Sequence, residues 1–222
     1  GTLPQRQALR HPSESRRPAF PAAGRFDITV PTRISKALMV TAWPTTHIWD
    51  ITRTRRLSVL SDIFSDRMRI RIREQLGASY SQGAYNDPAR AYEDYGVFGS
   101  YAIIDPEQMQ TVARAITDIA ADLSENGISP DELKRAVNPT LTGIREQVRT
   151  NDYWLNTVLK GAGRHPEQLR WSRTLVQDYR SITVEEINRM ARTWLVPEKA
   201  ATIRIRPEAE NGPSQQTGQK ES

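Results

Sequence analysis

Residues 51–85 read ITRTRRLSVLSDIFSDRMRIRIREQLGASYSQGAY, and their periodicity decides the architecture. Leu57, Leu60, Phe64, Met68, Ile72 and Leu76 recur at intervals of three and four, which lays one apolar stripe along a helix of about 25 residues. Gly77 follows the last of them, where a left-handed C-cap ends a helix. Residues 79–85 then read as a strand.

On the N-terminal side, Phe26-Asp27-Ile28-Thr29-Val30 alternates apolar with polar residues, and residues 36–42 (KALMVTA) are β-prone and nearly all apolar. Both predict strands, the second central in its sheet. On the C-terminal side, residues 95–104 (YGVFGSYAII) predict a strand that pairs with 79–85 across the turn chemistry of Asn86-Asp87-Pro88. Asp105-Pro106-Glu107 opens a helix that stops at Asn126-Gly127. Ser129-Pro130-Asp131-Glu132 opens the next with a capping-box glutamate, and Pro139 should kink it. Asn151 is placed to cap a short helix whose Tyr153 and Trp154 anchor packing. Helices over 166–179 and 183–195 and a strand over 201–205 complete the order. Strands grouped around segregated helices predict an α+β fold: a two-layer sandwich of one mixed, mainly antiparallel sheet with helices on one face. Residues 1–24, punctuated by Pro4, Pro12, Pro18 and Pro21, read as a linker, 25–207 as one domain and the polar residues 208–222 as a disordered tail.

Composition narrows the chemistry. The 222 residues contain no Cys, which excludes disulfide frameworks, thiol nucleophiles and Cys-ligated metals. No apolar run approaches the roughly 18–20 residues of a membrane span. The net charge of +5 is local: 1–33 hold six Arg against Glu14 and Asp27, and 53–77 hold seven against Asp62, Asp66 and Glu74. The only histidines, His11, His47 and His165, are far apart in sequence and read as ordinary surface residues, so no paired-His zinc motif exists. A Gly-x-Ser-x-Gly elbow, a P-loop and a Gly-x-Gly-x-x-Gly turn are likewise absent. The sequence therefore carries no active centre of its own, and no metal ligands are assigned within it.

Ser61-Asp62-Ile63-Phe64-Ser65-Asp66-Arg67-Met68, followed by Ile70-Arg71-Ile72-Arg73-Glu74-Gln75-Leu76-Gly77-Ala78-Ser79-Tyr80-Ser81, resembles the signature Ile-Arg-Glu-x-x-Gly-x-x-Tyr-Ser. That signature marks the non-catalytic halves of insulinase/pitrilysin peptidases, which include mitochondrial processing peptidase and large bacterial zinc proteases. The resemblance runs outward through Ile128-Ser129-Pro130-Asp131-Glu132-Leu133, Arg149-Thr150-Asn151-Asp152-Tyr153-Trp154-Leu155 and Ile182-Thr183-Val184-Glu185-Glu186-Ile187, covering roughly residues 25–207. It implies a processing-peptidase-like fold and the C-terminal, metal-free domain of a bacterial zinc metalloendopeptidase, inactive alone. In such a protease, homologous domains close a chamber around a peptide or unfolded protein. Zinc is held by a catalytic domain in the same chain or a partner subunit. An Arg and a Tyr seven residues apart reach over from the facing domain to hold substrate, and this spacing maps onto Arg73 and Tyr80, with Arg71 the weaker candidate. The resemblance favours the periplasm or cell envelope and leaves the cytoplasm open.

The chemistry of that pair stands by itself. Guanidinium and phenol are both hydrogen-bond donors, and two donors converging on a carbonyl stabilise the oxyanion that forms when it is attacked. Each residue also has a plainer reading. Arg67, Arg69, Arg71 and Arg73 would make a solvated ridge, Tyr80 a core aromatic, and Glu185 and Glu186 a helix's favourable first turn. Two rivals follow: a separately encoded inactive subunit, and a nucleic-acid-binding domain using the Arg-rich helix. Sparse Lys and the interleaved acids Asp62, Asp66 and Glu74 count against the second.

Overall fold

The computed structural model describes residues 18–77 and 79–208. The tail beyond Glu208, most of the linker and His11 lie outside the described residues. Strands β1 (Gly24–Val30) and β2 (Ala37–Thr45) precede helix α1 (Ile51–Met68), which continues as a π-helical segment, Arg69–Gln75. Strands β3 (Ser79–Pro88) and β4 (Gly96–Ile104) follow. Next come α2 (Met109–Glu125), α3 (Pro130–Gln147), a second π segment (Tyr153–Leu159), α4 (Glu167–Arg180), α5 (Val184–Trp194) and β5 (Ala201–Pro207). The sheet order is β1-β5-β2-β4-β3, with only the β1–β5 pair parallel. This is the expected mixed, mainly antiparallel sheet with β2 at its centre.

Alternation along β2 sorts the two faces. Ala37, Met39 and Trp43 are buried against the helices, whereas Leu38 and Val40 are half-buried on the other face. That other face also carries the exposed residues Phe26, Ile28 and Ile103, which places the helices on one side. The core centres on Trp43, Phe64 and Phe98, whose ring centroids lie 5.9, 6.1 and 5.8 Å apart in tilted and edge contacts. Leu57, Leu60, Met68 and Ile72 of the predicted stripe join them.

Four local expectations are corrected. Asn86, Asp87 and Pro88 belong to β3, paired with Phe98, Val97 and Gly96; edge position tolerates the proline, and the connection is 89–95. Leu76 is exposed, because it lies past the last helical turn where the chain reverses into β3. Thr150, not Asn151, accepts from the Tyr153 amide, and Trp154 is 45% exposed while Tyr153 is buried. Asp105 caps nothing with its side chain and pairs instead with Lys36. The capping boxes at Ser129/Glu132 and Thr183/Glu186 form as read, and α3 runs on through Pro139.

The π segment was not foreseen, although a signal existed. From Leu60 the apolar residues step by four each time, wider than the α-helical 3.6, and i→i+5 bonding takes more residues per turn.

Asp62 of α1 faces Ala136, Pro139 and Thr140 of α3, and burial raises its carboxyl pKa to about 6. The folded form thus holds its proton more tightly than the unfolded chain. The associated stability is full below about pH 4 and is lost as pH rises towards 6. Asp62 lies in a groove against α3 but keeps part of its surface in water, so the effect is screened. Asp62→Asn should flatten the loss of stability between pH 4 and 7 in urea unfolding; an unchanged pH profile would show that Asp62 titrates normally.

Candidate functional site

The turn from the π segment into β3 is built on Gly77. Its φ of +60° is left-handed, and its amide donates to the Arg73 carbonyl at 3.2 Å. A side chain there would meet open space, so the backbone angle alone calls for glycine. Arg73 lies on the last turn before it and Tyr80 on the strand after it, with the π segment packed against β3. The β3–β4 register slips between Ser79 and Ser81, so Tyr80 sits on a bulge, which re-aims a side chain. Tyr80 is 63% exposed, contrary to the core-aromatic reading.

Lys36 holds Tyr80 from one side. Its Nζ lies 3.5 Å from the centre of the tyrosine ring and donates to Asp105 Oδ1 at 2.7 Å. The Asp105 hydrogen bond first, and then the neighbouring Tyr80, raises the lysine pKa. The cation is thereby fixed between a carboxylate and an aromatic face, an arrangement that no local sequence pattern announced.

The arginines of 53–77 separate into two kinds. Arg53 pairs with Asp50, Arg55 with Asp178, Arg56 with Asp178 and Glu186, and Arg69 with Asp66 and Glu74. Arg67 donates to Glu132 at 2.7 Å, Asp122 at 2.6 Å and the Gly127 carbonyl at 2.7 Å, joining α1 to α2 and α3. Burial would raise the Glu132 pKa, but hydrogen bonds from Arg67 and Ser129 outweigh it and lower it. Arg71 approaches Asp118 at 3.7 Å. Among the described residues, Arg73 alone of the seven has no carboxylate partner, and it is exposed. Arg67 is thus drawn into the interface between helices, while Arg69, Arg71 and Arg73 stay exposed as the expected solvated ridge, Arg69 and Arg71 in surface ion pairs.

The donor set does not suit a metal. Among the described residues no group of three or more His, Cys, Asp or Glu could hold an ion. The two described histidines both serve packing around Trp49. His47 Nδ1 accepts from its amide at 3.2 Å, and the His165 ring stacks on its indole at 3.7 Å, so neither is the plain surface residue expected. Among the described residues no helix is long and apolar enough to cross a membrane.

Comparison with known proteins bears on the family and the fold. The profile of the family described as "Peptidase M16 inactive domain" matches residues 1–139. An uncharacterized zinc protease of Streptomyces coelicolor is 34% identical over 73 residues, 33% of this chain and 15% of that protein. The uncharacterized zinc protease YmxG of Bacillus subtilis is 26% identical over 149 residues, 66% of this chain and 35% of that protein. Among solved structures, a peptidase M16 inactive domain from Pseudomonas fluorescens superposes with a TM-score of 0.72 at 19% identity, over 89% of this chain and 47% of that one. The inactive peptidase domain from Bordetella parapertussis gives 0.63 at 16% identity, over 80% of this chain and 96% of that one. The chain thus spans about a third or less of these two curated relatives, and nearly the whole of the Bordetella domain.

Proposed function

The chain belongs to the peptidase M16 inactive-domain family, and from that premise we propose that it is the metal-free domain of a bacterial zinc metalloendopeptidase, closing the substrate chamber and presenting Arg73 and Tyr80 to a partner domain. The partner supplies the zinc and the attack on the peptide bond. This chain supplies donors. A guanidinium and a phenol aimed at the scissile carbonyl bind its oxygen more strongly as negative charge develops there, which is differential stabilisation of the transition state.

One observation carries the assignment: among seven arginines, the one that aligns with the family signature is also the one without a carboxylate partner among the described residues. The other arginines of α1 and its π segment do find carboxylates, Arg67 on two neighbouring helices. The catalytic domain lies either in the same chain or in a separate subunit, and both arrangements use the same two donors. Pairing of the other six arginines with carboxylates leaves little free charge on that helix for binding nucleic acid.

Purified alone, the chain should bind no stoichiometric zinc and cleave no unstructured peptide, and cleavage should appear when the catalytic domain is supplied. Zinc-dependent turnover by the isolated chain would overturn the proposal.

A further inference from the structure

A second concave surface lies at the opposite end of β3. That strand is 10 residues long, about 30 Å at 3.3 Å per residue, so the Arg90–Tyr95 connection is remote from Tyr80. There Trp49, Arg90, Tyr92, Lys160, Arg164 and His165 surround a cleft of about 680 Å³. Three positive side chains line it, and the single lining carboxylate is Glu93. None of the three cations has a carboxylate partner among the described residues.

The cleft is supported from beneath. Gln168 is 4% exposed, and with its amide oriented to satisfy both ends it accepts from Arg90 Nη1 at 3.1 Å and donates to the Lys160 carbonyl at 2.9 Å. A buried amide therefore ties the β3–β4 connection to the start of α4 and sets the position of one cation. The Trp49–His165 stack, with ring centroids 3.7 Å apart and an interplanar angle of 19°, forms a rigid aromatic wall. His165 Nδ1 lies 3.2 Å from Glu167, which fixes the ring further.

We propose that this cleft binds an acidic stretch of peptide, its carboxylates on Arg90, Lys160 and Arg164 and its apolar side chains against Trp49 and Tyr92. The charge fits a ligand carrying two or more carboxylates. The volume exceeds that of a single small anion, and the aromatic wall suits carbon rather than a second phosphate. The site lies far from Arg73 and would hold a substrate at a point distant from the bond that is cut. It rests on the reading that this chain meets peptides, but is tested by binding to the isolated chain, so its failure leaves the Arg73 and Tyr80 assignment standing.

The probe is an acetylated, amidated decapeptide carrying four glutamates and two leucines, titrated calorimetrically at about 50 mM salt against the same peptide with glutamines. The glutamate peptide should bind at least tenfold more tightly. Arg90→Ala/Arg164→Ala should lower its affinity about tenfold, and Arg73→Ala should leave it unchanged. The altered residues are exposed, and an unchanged thermal midpoint confirms folding. Equal affinity for both peptides, or loss with Arg73→Ala alone, would overturn the proposal. So would tighter binding of a deoxythymidine decamer through Arg90 and Arg164, or full competition by millimolar inorganic phosphate.

Discussion

Arg73→Ala, introduced into the assembled protease, should lower turnover by about 10²–10³ while zinc content and thermal stability stay at wild-type levels. Those are the losses expected when one preorganised donor to a developing oxyanion is removed. Stability should not follow, because the Arg73 side chain is exposed and holds no carboxylate among the described residues. Tyr80→Phe keeps the ring on Lys36 and removes only the hydroxyl, so its effect should be of similar size and also fall on kcat. Arg71→Ala, which removes a long surface contact to Asp118, should be nearly silent. Wild-type rates for both Arg73→Ala and Tyr80→Phe would end the donor-pair assignment. A rise in KM with kcat unchanged would reduce the pair to uniform substrate binding.

Asp178→Ala should destabilise the isolated chain by about 3–5 kcal/mol, the usual cost of breaking a buried ion pair. Arg55 and Arg56 are adjacent on α1, and both are buried, at 4% and 6% exposure. Asp178 of α4 receives both, Arg55 through Oδ2 at 2.8 Å and Arg56 through Oδ1 at 3.0 Å. Arg55 also donates to the Trp171 carbonyl at 2.8 Å, and Arg56 Nε lies 3.0 Å from Glu186, a contact too bent for a hydrogen bond. Desolvation alone would lower the Arg56 pKa, but Glu186 and Asp178 reverse that and raise it. Removing Asp178 leaves Arg55 with no carboxylate among the described residues and Arg56 with Glu186 alone, in a dry interface. In a chain of this size the thermal midpoint should fall by about 10 °C. Asp178→Asn, which keeps the acceptor oxygen, should cost less. A loss under about 1 kcal/mol in urea unfolding of Asp178→Ala would show that desolvation cancels the pairing. Replacing all four charges by Arg55→Met/Arg56→Met/Asp178→Leu/Glu186→Gln should be far milder than Asp178→Ala, since no charge of the cluster is then left unmatched.

Much of the fold was legible because its signals are local. The alternation in Phe26-Asp27-Ile28-Thr29-Val30, the Ser129 and Thr183 capping boxes and the stripe from Leu57 to Ile72 each depend on neighbours within a turn or two. Where the reading failed, a longer-range preference had won. Pro88 sits in a strand because β3 is an edge, and Asp105 abandons its helix because Lys36 offers a charge. Gly77 was placed correctly because a reversal straight after a helix demands a left-handed residue.

The amino-acid order by itself determined the elements, their sequence along the chain and the seven-residue spacing of Arg73 and Tyr80, since periodicity, capping and turn chemistry act between near neighbours. It did not determine which arginine is free. Arg53 and Arg69 find acids close by, but Arg55, Arg56, Arg67 and Arg71 find theirs on α2, α3, α4 and α5. Only packing those helices on one face of the sheet brings the charges within a few ångströms of each other. Coulombic pairing follows distance in space, and that distance is a property of the tertiary structure.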